Sequence, residues 1–213
     1  MRVLPILVLL LSLAACGRGS PWAEVTRLLD LDGEREPDRL AIAEAESEEE
    51  GETPQLRFAL GRRAANATLI QQQGERRMWR APGGVVVATD GPRVVATAGL
   101  PQIVMATRLD GPDPLDDPRA LVDRSAEVRR LVDISGASRD PETMRFGVAF
   151  DCRLRGARTE EGMILIEERC RVPGFSPVTN RFWASAETGT VGFAEQWVGP
   201  GMGPLSLDFE PGS

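Results

Sequence analysis

Phe146-Gly147-Val148-Ala149-Phe150-Asp151-Cys152-Arg153-Leu154-Arg155 and Ile164-Leu165-Ile166-Glu167-Glu168-Arg169-Cys170-Arg171-Val172 decide the fold class. In the first stretch Phe146, Val148, Phe150, Cys152 and Leu154 share one parity, and Asp151, Arg153 and Arg155 share the other. In the second, Ile164, Ile166, Glu168, Cys170 and Val172 alternate with Glu167, Arg169 and Arg171. Successive side chains of a strand point to opposite faces, so both stretches read as half-buried β-strands. A hairpin folded about residues 156–162 brings the two apolar faces together. That turn does not set Cys152 directly opposite Cys170, so a bulge is needed to join them.

The same alternation leaves one carboxylate, Glu168, on an otherwise apolar face. A buried, unpaired carboxylate is expensive. Arg is the abundant cation here, so Glu168 is expected to be buried and bonded to an Arg side chain or to backbone N–H groups, in a structural role.

Outward from this pair, the chain continues in strands. Residues 56–60, 67–73, 76–80, 85–89, 93–97, 102–108, 126–134, 181–185 and 190–198 are short β candidates. They are separated by turn signals such as Gln73-Gly74-Glu75 and the hairpin turn Asp90-Gly91-Pro92. The fold class is therefore mainly β, in antiparallel meanders forming either two sheets or an open, barrel-like arrangement. The proline-rich stretch 110–118 reads as loop and as a subdomain break between an N-terminal and a C-terminal meander. Residues 199–204 read as irregular. Before the strands, Trp22, Val25, Leu28 and Leu29 recur at helical spacing behind Ser20 and Pro21, which predicts a short N-terminal helix within 22–42. The acidic run 44–52 reads as solvated loop.

At the front of the chain, Leu13-Ala14-Ala15-Cys16 resembles a bacterial lipobox. The apolar run 3–15 is shorter than the ~18 residues of a spanning helix, which makes residues 1–15 a signal peptide. The alternative is a plain secretory signal with a chance cysteine. On the lipobox reading, Cys16 carries acyl chains, residues 16–21 form a lipidated tether and residues 22–213 an exported domain. Gly17 stands where an Asp commonly signals inner-membrane retention, which implies the outer membrane, facing the periplasm.

Composition narrows the chemistry. The 213 residues carry a formal charge of −7 and no His. A net acidic chain is a poor nucleic-acid partner, and without His it has no Ser-His-Asp triad and lacks the commonest metal ligand. With Cys16 lipidated, Cys152 and Cys170 remain: in an oxidising compartment they read as a disulfide, otherwise as two buried thiols. They cannot build a zinc site alone, and no metal or cofactor is expected. Glu167 and Glu168 point to opposite faces, and Asp116-Asp117 sits in a loop, so no catalytic residue is assigned and the chain reads as a non-enzyme. Trp79 with Arg80, and Trp183 with Arg181, suggest a sugar-binding surface, since aromatic faces stack on sugar rings and Arg binds anionic groups. The alternative places these rings in the core and at sheet edges, with Trp183 packed on Trp197 across a short turn.

Three stretches carry a family resemblance. The first is Arg77-Met78-Trp79 followed by Gly83-Gly84-Val85-Val86-Val87-Ala88-Thr89-Asp90-Gly91-Pro92-Arg93 and Thr97-Ala98-Gly99-Leu100-Pro101. The second is Val148-Ala149-Phe150-Asp151-Cys152 with Glu167-Glu168-Arg169-Cys170, and the third Asn180-Arg181-Phe182-Trp183 with Gln196-Trp197-Val198-Gly199-Pro200. They resemble the YjbF/GfcB family of lipoproteins. The resemblance implies a β-rich outer-membrane lipoprotein, an accessory factor in exopolysaccharide or group 4 capsule secretion. Its implied partners are other polysaccharide export proteins and the polysaccharide itself. The readings that compete with it are an envelope glycan-modifying enzyme and a structural envelope lipoprotein.

Overall fold

The computed structural model describes residues 54–136, 138 and 140–209 of the chain. The predicted helix within 22–42, the acidic run and Cys16 lie outside the described residues. Twelve strands account for most of the rest. They are β1 Gln55–Leu60, β2 Arg63–Gln73, β3 Arg76–Arg80, β4 Val86–Asp90, β5 Arg93–Ala98, β6 Gln102–Asp110, β7 Ala126–Gly136, β8 Arg145–Arg158, β9 Met163–Arg171, β10 Val178–Ser185, β11 Val191–Gln196 and β12 Leu205–Phe209.

These strands form one sheet, in the order β5-β4-β3-β2-β1-β12-β11-β10-β9-β8-β7-β6. Of the two expected arrangements, the barrel-like one is found: the sheet is antiparallel and curls until it is nearly closed. Its two ends, β5 and β6, are neighbours in the chain, joined by Gly99-Leu100-Pro101. Gly99 adopts φ 77°, and a Cβ there would lie 2.7 Å from the carbonyl oxygen of Gly84, so the tight return admits no side chain. Across the seam the backbone N–H of Val104 donates to Thr97 Oγ1 at 3.0 Å. The lumen is filled by the inward parity of each strand, including Leu56, Phe150, Ile166, Phe182 and Leu207, all fully buried.

The β8–β9 hairpin differs from its sequence-based register. Cys152 stands directly opposite Cys170 with no bulge, because β8 runs on to Arg158 and the turn lies beyond it. Gly156 is a strand residue: a Cβ on it would sit 3.1 Å from the backbone of Leu121, which packs over the sheet there. Close backbone approach, and not a turn, is what requires glycine at this position.

The proline-rich stretch also departs from simple loop. Pro114–Asp116 and Pro118–Leu121 are 3-10 turns, each opened by an aspartate cap (Asp113, Asp117) with proline behind it. Proline suits the first turn of a helix because the N–H it lacks has no partner there. Leu115, Pro118 and Leu121 are buried, and the compact unit Gly51–Ser213 takes in the whole stretch. Finally, β12 follows the irregular residues 199–204 and inserts between β11 and β1. Its short alternation sets Leu205 and Leu207 inward against Ser206 and Asp208, a strand that is not among the β candidates expected from the sequence.

Candidate functional site

The alternation of β9 turns Ile164, Ile166, Glu168 and Cys170 into the lumen, and Glu168 is 0% exposed. Its carboxylate meets three strands. Arg93 Nη1, from the first residue of β5, donates to Oε1 at 2.9 Å. Asn180 Nδ2, directly opposite on β10, donates to Oε2. Arg130 Nη2, from β7, lies 3.3 Å from Oε2. Arg93 also holds Asp113 in a two-point contact, Nε to Oδ2 at 2.7 Å and Nη2 to Oδ1 at 2.8 Å. Asp113 Oδ1 in turn caps the N–H of Leu115 at 3.0 Å. The proline-rich stretch is thereby tied to the barrel interior.

The network extends across the lumen. Asn180 Oδ1 accepts from the N–H of Trp197 at 2.8 Å. Gln196 accepts from Val94 N–H at 3.0 Å and donates to the carbonyl of Pro92 at 2.8 Å, linking β11 to the start of β5. The guanidinium of Arg93 lies 5.6 Å from the ring centre of Phe182, and that of Arg130 lies 5.3 Å from Phe150.

Two guanidiniums face two carboxylates, so the cluster balances. Burial alone would push Glu168 up, but Arg130, Arg93 and the Asn180 amide outweigh it and hold the carboxyl below its ordinary value. Burial likewise opposes Asp113, and the hydrogen bonds and charge of Arg93 bring it down. The two arginines differ. Against its own burial, Arg93 is raised by Glu168 and Asp113, whereas Arg130 is lowered by a burial that the charges of Glu168 and Asp113 do not offset, with Arg93 adding repulsion. Arg130 Nε also lacks a hydrogen-bond partner among the described residues. Arg93 is the principal counter-ion, and Arg130 the strained one.

Cys152 and Cys170 form a disulfide beside this cluster. Their sulfurs and a Glu168 oxygen lie within 4.8 Å of one another, a spacing that would suit a metal. A disulfide offers no thiolates, and Glu168 is occupied by cations, so the donor set does not fit one.

The remaining candidate residues are dispersed. Trp79 points into the lumen, 3% exposed, with its indole N–H on Thr89 Oγ1, while Arg80 on the next position faces solvent. Trp183 and Arg181 lie on the outer face of β10. Trp183 packs on Phe193 at 5.1 Å rather than on Trp197, because the β10–β11 register sets it opposite Phe193. Trp197 lies past the end of β11 and packs on Phe150 and Phe175. Arg181 is ion-paired to Glu195 and Glu167. Arg93, Asn180 and Gln196 stand in the stretches that carry the family resemblance, but the sequence assigns no role to them or to Asp113 and Arg130. Arg130 is legible by the parity rule that found Glu168, since it shares the inward parity of Val128, Val132 and Ile134.

Above the Arg93–Asp113 pair a cavity of about 1350 Å³ opens at the barrel end that carries the β2–β3, β4–β5, β6–β7 and β10–β11 turns. Arg77, Thr107, Leu115, Asp116, Val191 and Phe209 are among its lining residues. Burial, with the nearby carboxyls of Asp113, Asp90 and Glu75, pushes the Asp116 carboxyl above its ordinary value.

No curated protein sequence matches the chain. Among solved structures, the hypothetical lipoprotein YmcC from Escherichia coli (K12) is similar in fold, with a TM-score of 0.59 at 16% identity over 76% of this chain and 86% of that one. Residues 49–209 match the family described as group 4 capsule polysaccharide lipoprotein GfcB, YjbF. That span runs from the acidic run to the last strand and takes in the barrel, the disulfide and the buried charge cluster, and it places this chain in the GfcB/YjbF family of capsule polysaccharide lipoproteins.

Proposed function

We propose that the protein is anchored by lipid on Cys16 to the outer membrane, faces the periplasm, and assists exopolysaccharide or capsule secretion and assembly without catalysing a reaction. The family match over residues 49–209 carries this reading. The lipobox-like Leu13-Ala14-Ala15-Cys16 supports the anchor, and Gly17 supports the choice of membrane. The buried carboxylates favour binding over catalysis. Glu168 and Asp113 are held ionised by Arg93 and Arg130, whereas a general acid needs a pKa near the working pH. The partners are the membrane, through the anchor, together with polysaccharide export proteins and the polysaccharide.

Deletion and complementation test the reading. Removing the gene should abolish or sharply lower surface and secreted polysaccharide. The wild-type gene should restore it and a Cys16→Ser gene should not. Undiminished secretion from the deletion strain would overturn the proposal, and release of reducing ends from purified polysaccharide by the protein would replace it with an enzymatic one.

A further inference from the structure

The mouth cavity borders the buried cluster at Arg93 and Asp113 and has a further wall of its own. On β3, Arg77 is paired in register with Thr89 and shares the lumen-facing parity of Trp79. Its Nε is buried and has no hydrogen-bond partner among the described residues. Arg93, by contrast, directs Nε, Nη1 and Nη2 to carboxylates. A buried N–H without an acceptor is unfavourable, and an acceptor entering the cavity would relieve it. Across β6, Thr107 stands opposite the buried Val132 and so brings a hydroxyl to the same inner face.

Size and lining select the ligand. At about 1350 Å³ the cavity exceeds the ~300–1,000 Å³ usual for a small molecule. Its lining mixes hydroxyls (Thr107, Thr190), charges of both signs (Arg77, Asp116) and apolar surface (Leu115, Phe209). An acyl chain would desolvate those charges without pairing them. A sugar chain presents donors and acceptors around each ring and apolar C–H faces between them, which matches all three kinds of surface.

We infer that this cavity binds a segment of the exported polysaccharide, with Arg77 donating to it from the wall and Asp116 accepting its hydroxyls at the rim. This rests on the proposed role in polysaccharide secretion and deepens it by naming the site.

Saturation-transfer NMR tests the site, using the full mature chain and short fragments made by mild acid hydrolysis of polysaccharide secreted by the cells that carry the gene. Wild-type protein should bind the fragments. Arg77→Met and Thr107→Trp, which respectively remove the donor and fill the lumen, should each weaken binding about tenfold or more. Asp116 is exposed, so Asp116→Ala keeps the test valid if the lumen variants do not fold, and it should weaken binding severalfold. An outer-face variant, Arg181→Ala with Trp183→Ala, should bind as wild type does. The inference is overturned by binding unchanged in all three cavity variants, by loss only in the outer-face variant, by no binding to the wild type, or by binding of deacylated lipopolysaccharide alone. These outcomes are separate from the genetic test. Cavity variants that bind normally in a protein required for secretion would sink only the site. Cavity-dependent binding in a protein dispensable for secretion would sink only the function.

Discussion

Arg93 Nη1 donates to Glu168 Oε1 at 2.9 Å, a pair 75 residues apart with side chains 1% and 0% exposed. It joins β5, one end of the sheet, to β9 near the other, through the middle of the barrel. Asp113 on the same guanidinium ties in the proline-rich turns, so one buried cation fixes the two walls and the β6–β7 connection together.

Removing the Glu168 carboxylate leaves two buried guanidiniums, Arg93 and Arg130, against the single carboxylate of Asp113. Glu168→Ala should lower unfolding free energy by about 3–5 kcal/mol, because Arg130 then loses its carboxylate and Arg93 keeps only Asp113. Glu167→Ala, on the solvent face with Arg169 and Arg181, should cost about 0.5 kcal/mol. Urea denaturation of the two variants checks this, and equal midpoints would refute a structural role for Glu168.

Acid should act through the same group. Glu168 and Asp113 both have folded-state pKa values below their unfolded ones, so the stability they contribute is complete above the ordinary carboxyl range and is lost as pH falls through the depressed values. The melting temperature should hold between about pH 7 and 5 and fall below about pH 4. Glu168→Gln should start lower at neutral pH and show a shallower acid slope. An identical slope in the two proteins would place the acid sensitivity elsewhere.

The disulfide closes a loop with a sequence separation of 18. Its loss in Cys152→Ala/Cys170→Ala should reduce stability by roughly 3 kcal/mol on the chain-entropy estimate. Alkylation of mature protein taken from the envelope should label neither residue until reductant is added. Ready labelling without it would contradict the bond.

Gly156 provides a packing test. Gly156→Val drives a branched side chain against the Leu121 backbone 3.1 Å away and should cost about 1–3 kcal/mol. Gly192→Ala, with no heavy atom within 4 Å of the added Cβ, should be nearly neutral. Equal effects in thermal melts would mean that the turn over β8 gives way.

What the sequence determined by itself was local. Period-two alternation in 146–155 and 164–172 marks the half-buried strands. It also singles out Glu168 as a carboxylate on an inward parity, because parity along a strand needs no knowledge of its neighbours. Turn chemistry at Gly74 and Gly91 marks hairpins for the same reason, since a positive φ is a property of one residue. Only the tertiary structure decided which strands meet. The insertion of β12 between β11 and β1, the approach of Leu121 to Gly156, and the choice of Arg93 as partner for Glu168 depend on the curvature and register of the whole sheet. Trp79 shows the division within one residue. Its alternation with Arg80 is written in the chain, but its burial follows from the barrel closing around it.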